Sequence, residues 1–179
     1  MSDNLNSPAP NPPAPNPPAP NPPAPNPPAL DPDSLEPKLG SSYPAPFRDA
    51  CGAREKRALG DALGLTHYGV NLVRLPPGAT SAQRHWHTHE DEFVYVLEGA
   101  LVLITEGGEQ TLTAGTAAGF PAGKEDGHQL VNRSDAWAVY LEIGNRSDAD
   151  EVHYPDVDLF LTMRNGDWVF THKSGEPYE

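Results

Sequence analysis

The sequence predicts an all-β fold, an antiparallel sandwich or barrel standing behind a long polar tail. Three observations carry that expectation. The stretch from Tyr68 to Ile143 breaks into short runs rich in β-branched and aromatic residues. Gly and Pro clusters separate these runs at a spacing of roughly 8–12 residues, as in sandwiches and barrels. No long amphipathic helical pattern interrupts them.

Taken in order, the chain begins with a tail over residues 1–29, where an N-P-P-A unit recurs with a period of five from Asn11, Asn16, Asn21 and Asn26. Proline at that density removes backbone donors and fixes φ, so this part is expected to be a disordered polyproline tether acting as a spacer. Residues 30–53 form a polar, Pro-interrupted arm, and residues 54–179 are expected to be the folded domain. Arg54 to Leu63 is ambiguous between a short helix and a strand turning at Gly60. Tyr68–Leu75 reads as a strand ended by Pro76-Pro77-Gly78. Strands follow at Gln83–His87, Glu92–Glu98 and Ala100–Thr105. A hairpin at Glu106-Gly107-Gly108-Glu109 is expected to use the positive φ that Gly-Gly supplies. Gln110–Thr113, Thr116–Phe120, Gly127–Asn132 and Trp137–Ile143 continue the series. Two weaker strands, near Val157–Met163 and Asp167–Thr171, are expected to flank the barrel.

Composition narrows the function classes. The chain has 179 residues and a formal charge of −13, from 25 acids against 12 bases. That balance argues against nucleic acid or an anionic membrane as a partner, since either demands a basic patch. No apolar run approaches the ~20 residues of a membrane span. The N-terminus lacks the basic and apolar regions of a signal peptide, so a cytoplasmic location is expected. Cys51 is the single cysteine. It allows no internal disulfide and reads as an ordinary thiol.

The chemistry concentrates in Arg84–Gly99, R-H-W-H-T-H-E-D-E-F-V-Y-V-L-E-G. On a strand, alternate side chains share a face, so His85 and His87 project together. Glu92 opens the next strand. Two neutral imidazoles and a carboxylate on neighbouring strands make a set that grips a divalent metal and leaves coordination positions open. On its own, H-x-H is as often surface decoration as a metal site.

A second signal lies downstream. Gly78, His85, His87, Glu92 and Gly99, followed by Gly115, Pro121, Gly123, His128 and Asn132, resemble in order the two motifs of the cupin superfamily. One residue more than the motif has separates Gly78 from His85, and two more stand before His128. The resemblance implies a double-stranded β-helix, or jelly-roll barrel, with metal ligands His85, His87, Glu92 and His128. It is looser to small single-domain cupins without an assigned substrate.

Other residues are weaker candidates. Tyr95 and Glu142 are polar groups on strands built for burial, and either could enter the barrel as a proton donor or orienting group. His89 continues the histidine alternation but reads as a surface residue. Arg84 and Lys124 could meet an anionic substrate at the barrel mouth, although solvated charges are commoner. Trp86 alternates away from the histidines and reads as packing. His67, His153 and His172 have no partner at ligand spacing.

The expected function is a metal-dependent small-molecule enzyme of dioxygenase, decarboxylase, isomerase or lyase type. Its metal would be Fe, Mn, Ni or Zn. A non-catalytic ligand-binding or sensor protein is the alternative. A homodimer is expected as well, because Ala100–Thr105 and Trp137–Ile143 carry apolar residues on both faces. The alternative cover for the outer face is the chain's own arm and C-terminal segment.

Overall fold

The structure is a computed structural model, and it describes residues 28–45 and 47–178. The expected Pro/Ala/Asn tail therefore lies almost wholly outside the described residues. Among these, the regular secondary structure is nearly all strand, and no helix is long and apolar enough to cross a membrane.

The ambiguous stretch after Arg54 resolves into both alternatives. Glu55–Ala58 is a strand (β2), and Leu59–Ala62 is a single helical turn (α1). Strand β2 joins Lys38–Leu39 (β1) from the arm to Tyr68–Leu75 (β3). The sheet continues through Ala138–Asn145 (β10) and Glu92–Glu98 (β5) to Ala117–Phe120 (β8), in the order β1-β2-β3-β10-β5-β8. A second layer is built from two smaller sheets. Gly108–Thr113 (β7), Ala100–Thr105 (β6) and Gln129–Val131 (β9) form one, in that order. Asp167–Thr171 (β13), Phe160–Arg164 (β12), Glu151–His153 (β11) and Trp86–His87 (β4) form the other. An antiparallel bridge between His85 and His128 links the two small sheets. All strand pairings are antiparallel.

Several expectations need correction. The strand expected at Gln83–His87 is regular only at Trp86–His87, because His85 is held by the isolated bridge to His128. The strand expected from Val157 starts at Phe160, and the short strand Glu151–His153 carries too few residues to leave a period-2 signal. These C-terminal strands are not flanking additions. They complete the sheet that holds the histidine strand β4. In the β6–β7 hairpin, Thr105 pairs with Gly108, so the loop residues are Glu106 and Gly107 and only Gly108 takes positive φ, 113°.

The core fills the space between the layers. Val73, Leu75, Val96, Leu101 and Tyr140 are fully buried, together with Leu103, Leu112 and Leu130 from the smaller sheet. Burying side chains of this size stabilises the fold by about 1.5–3 kcal/mol each. A second cluster joins the arm (Tyr43, Cys51) to the C-terminal segment (Val152, Tyr154, Leu159). The arm thus packs as part of the folded unit. Gly99 makes the tight β5–β6 connection. Its φ is 75°, and a Cβ there would lie 2.9 Å from the Trp137 carbonyl oxygen.

Candidate metal centre

Strand pairing places the inward side chains of the large sheet in three rows. In the first, Gly69, Gly144, Glu92 and Phe120 are successive partners. In the second stand Ala58, Asn71, Glu142 and Val94. The third holds Lys38, Lys56, Val73, Tyr140 and Val96. Adjacent rows are two residues apart along each strand, roughly 7 Å. A cavity of about 660 Å³ opens over these rows and over His85, His87 and His128 from the opposite layer.

Glu92 stands at the centre of the histidines. Its Oε2 lies 3.5 Å from His85 Nε2, 3.5 Å from His87 Nε2 and 2.6 Å from His128 Nε2. Gly144 makes room beside it, since a Cβ there would sit 2.9 Å from the Asp91 carbonyl oxygen and 3.8 Å from Glu92 Cγ. Behind the ligands, His85 Nδ1 donates to the Gln83 carbonyl oxygen at 2.8 Å, and His87 Nδ1 donates to Asp150 Oδ2 at 2.6 Å. Each bond fixes the orientation of its ring and turns Nε2 inward, toward Glu92.

This donor set fits a divalent metal. His85, His87 and Glu92 each offer one ligand atom, and these atoms lie within 4.8 Å of one another. Burial pushes the Glu92 carboxyl up, but hydrogen bonds from His128 and His85 and the nearby histidines outweigh it and hold the group well below its usual range. The carboxylate is therefore ionised and ready to ligate. His128 stands outside that group. Its Nδ1 is buried without a hydrogen-bond partner, and its ring stacks on Phe120 at 3.6 Å between centroids. Burial lowers its pKa, against the opposing pull of Glu92. The two extra residues before His128 are taken up in the loop after Gly123, where Asp126 accepts from the Glu106 backbone N–H.

A second grouping, His87, Glu90 and Asp150, also has ligand atoms within reach of one another. Asp150 is already committed, however. Its Oδ1 accepts the backbone N–H groups of His89 and Glu90 at 2.7 and 3.2 Å while Oδ2 holds His87. It serves the first set from behind.

The cupin domain profile matches residues 71–144. A sugar phosphate isomerase of the cupin superfamily from Silicibacter pomeroyi DSS-3 is 46% identical, covers 84% of this chain and 96% of its own, and superposes with a TM-score of 0.80. The chain belongs to the cupin superfamily. A candidate sugar phosphate isomerase from Acidithiobacillus ferrooxidans shows 35% identity over 71% of this cupin and 80% of that chain, with a TM-score of 0.65. The tetracenomycin polyketide synthase protein TcmJ of Streptomyces glaucescens is 26% identical over 122 residues, 68% of this chain and 80% of TcmJ.

The cupin brings together most, but not all, of the residues that its sequence marks out. His85, His87, Glu92, His128 and Glu142 share the cavity. Tyr95 does not: it alternates with the inward Val94 and Val96, so it faces outward and is 38% exposed. The surroundings of Tyr95 looked apolar because the outer face of β5 also carries Phe93 and Leu97. His89 is exposed, with its Nδ1 against Thr88 Oγ1. Arg84 spends its guanidinium on Asp156 and Glu106, and Lys124 pairs with Asp126, so neither guards the cavity. Trp86 stacks on His153 at 4.3 Å, a packing role. Cys51 is buried, and burial raises its pKa.

Sequence reasoning missed the cavity's other walls. Lys38, Ser41, Ser42 and Tyr43 from the arm line it, as do Arg54, Lys56, Asn71, Tyr140 and Arg146. Lys56 Nζ donates to Glu142 Oε1 at 2.6 Å, and Asn71 Nδ2 donates to the same oxygen at 3.1 Å. The available signal was register. Once β3 and β10 are paired, Asn71 and Glu142 stand directly opposite each other.

Proposed function

We propose that this cupin is a metal-dependent isomerase of sugar phosphates, small anionic polyhydroxy substrates. The observation that carries the reading is the company kept by the donor set. One cavity holds His85, His87 and Glu92, a half-buried glutamate outside that group (Glu142), and Lys38, Arg54, Lys56 and Arg146. Four acids (Asp61, Glu90, Glu92, Glu142) balance those four cations, so a bound divalent metal tips the cavity positive. That favours an anionic substrate in a chain that is otherwise strongly acidic. The volume falls within the usual range for small-molecule sites. The 46% identity to the Silicibacter isomerase over nearly its whole length supports the same reaction class.

His85, His87 and Glu92, with His128 as a fourth donor, would hold the metal, which when bound supplies Lewis-acid polarisation of a substrate carbonyl. The chain's own contribution is the proton transfer. Burial pushes the Glu142 carboxyl up, but the charge of Lys56 outweighs it and keeps the group below its usual value. Glu142 is thus a carboxylate one row from Glu92. It takes a proton from the carbon beside the carbonyl and returns it to the carbonyl carbon, while the hydroxyl proton passes to the other oxygen. Aldose and ketose interconvert with no net change of atoms or electrons, so no oxidant is needed.

The test is to load the protein in turn with Fe, Mn, Ni and Zn and to incubate it with D-ribose 5-phosphate, D-fructose 6-phosphate and D-glucose 6-phosphate in D2O. Metal-dependent interconversion with deuterium entering the carbon beside the carbonyl is expected, lost on chelation and in Glu142→Gln. Binding without turnover would return the chain to the non-catalytic ligand-binding reading.

A further inference from the structure

Among the described residues, three buried polar side-chain atoms lack a hydrogen-bond partner: His128 Nδ1, Thr171 Oγ1 and the Tyr140 hydroxyl. The tyrosine stands out. Its side chain is fully buried, yet Tyr140 lines the cavity that holds the metal-ligand set. A buried hydroxyl without a partner is costly, and a folded protein normally supplies one. A tyrosine rather than a phenylalanine at this position calls for a reason that the ligand-free chain does not show.

Register supplies the reason. Along the inner face of β10, Gly144 faces Glu92, Glu142 faces Val94, and Tyr140 faces Val96. Three rows of one sheet therefore present a metal ligand, an ionised carboxylate and a phenol in line, at steps of roughly 7 Å. That order suits a chain of several hydroxylated carbons lying along the strand. Its carbonyl end sits at the metal level, its exchanging proton by Glu142, and a further oxygen toward the third row.

We propose that the Tyr140 hydroxyl is a substrate-binding group, donating a hydrogen bond to an oxygen of the bound molecule remote from the metal. This rests on the sugar-phosphate reading for the identity of the molecule, though not for the unpartnered hydroxyl. Burial first, and then the charge of Glu142, hold the phenol far above its usual pKa, so it stays a donor at working pH. The neighbouring Glu142 is already occupied by Lys56 and Asn71 on one oxygen.

Tyr140→Phe in the full-length protein tests the proposal in two independent arms. The first is thermal melting without ligand. Deleting a hydroxyl that no group of the chain satisfies should leave the melting temperature unchanged or raise it. A fall of more than about 2 °C would show that the hydroxyl serves the fold, through a contact or a structural water, and would overturn the proposal. The second arm uses the metal-loaded protein with D-ribose 5-phosphate, D-fructose 6-phosphate and D-glucose 6-phosphate. For whichever is bound or turned over by the wild type, Kd or KM should rise about tenfold, with metal content unchanged. Unaltered affinity would overturn the proposal. If the wild type ignores all three, the isomerase reading fails by itself, and the melting arm still decides about the hydroxyl.

Discussion

Asp150→Asn is the most informative single change, because one carboxylate performs two jobs at once. Oδ2 receives the His87 Nδ1 proton, and Oδ1 receives the backbone N–H groups of His89 and Glu90. An amide of the same shape has only one acceptor oxygen. If that oxygen faces His87, an NH2 group confronts two backbone N–H donors; if it faces them, the NH2 confronts His87. The residue is 1% exposed, so water cannot relieve the mismatch. Leaving one buried donor unsatisfied costs about 1–3 kcal/mol. For a domain of this size that lowers the melting temperature by about 2–4 °C per kcal/mol. Losing the carboxylate behind a metal-bound histidine typically weakens metal affinity by about 10–100-fold, or about 1.4–2.7 kcal/mol. Competition titration against a chelator gives the affinity, and scanning calorimetry of the metal-free protein gives the stability. His87→Ala is the reference, in which the donor is gone and metal binding should fail altogether with the barrel still folded. An Asp150→Asn protein whose metal affinity stays within twofold of the wild type would refute the reasoning. A pH series adds a check. Burial pushes the Asp150 carboxyl up, but the hydrogen bond from His87 and the backbone N–H groups outweigh it and hold it below its usual value. Its stabilisation should then be present above about pH 4 and lost as pH falls below that.

Three further outcomes are expected. Lys56→Met removes the charge that lowers the Glu142 pKa, so the acid limb of the pH–rate profile should move to higher pH; an unmoved limb would exclude Glu142 as the base. Deleting residues 1–29 should leave the melting temperature and metal content unchanged, since a stretch without aromatic or β-branched residues has almost nothing to bury; a melting point lower by more than a few degrees would contradict this. The outward Phe93, Tyr95 and Leu97 on β5 support the expected homodimer, because the arm and C-terminal segment pack elsewhere and leave them exposed. Light scattering of the tail-deleted protein should give twice the single-chain mass, reduced by Phe93→Ser with Leu97→Ser, and a single-chain mass at all concentrations would exclude the pairing.

Local pattern was enough to read the all-β class, the order of most strands and the residues His85, His87 and Glu92 that the fold gathers. Those features are local. A period-2 pattern, a Gly-Gly or Pro-Pro-Gly turn and an H-x-H spacing each sit within a few residues and act through the backbone geometry of one strand. It also marked Glu142, one acid in an apolar run, although it gave Tyr95 equal standing. Whether a residue on a strand points inward depends on the face that its neighbours bury, and only the pairing of β5 with β8 and β10 decided that for Tyr95. The rest of the site was out of reach for the same reason. Lys56 meets Glu142 across 86 positions, Asp150 backs His87 across 63, and the arm closes a cavity whose main wall lies far along the chain. Such contacts leave no periodic trace, because they are fixed by strand register and by the second layer folding over the first. The His-x-His and Glu spacing was legible from its own residues, whereas the cavity around it is a product of long-range packing.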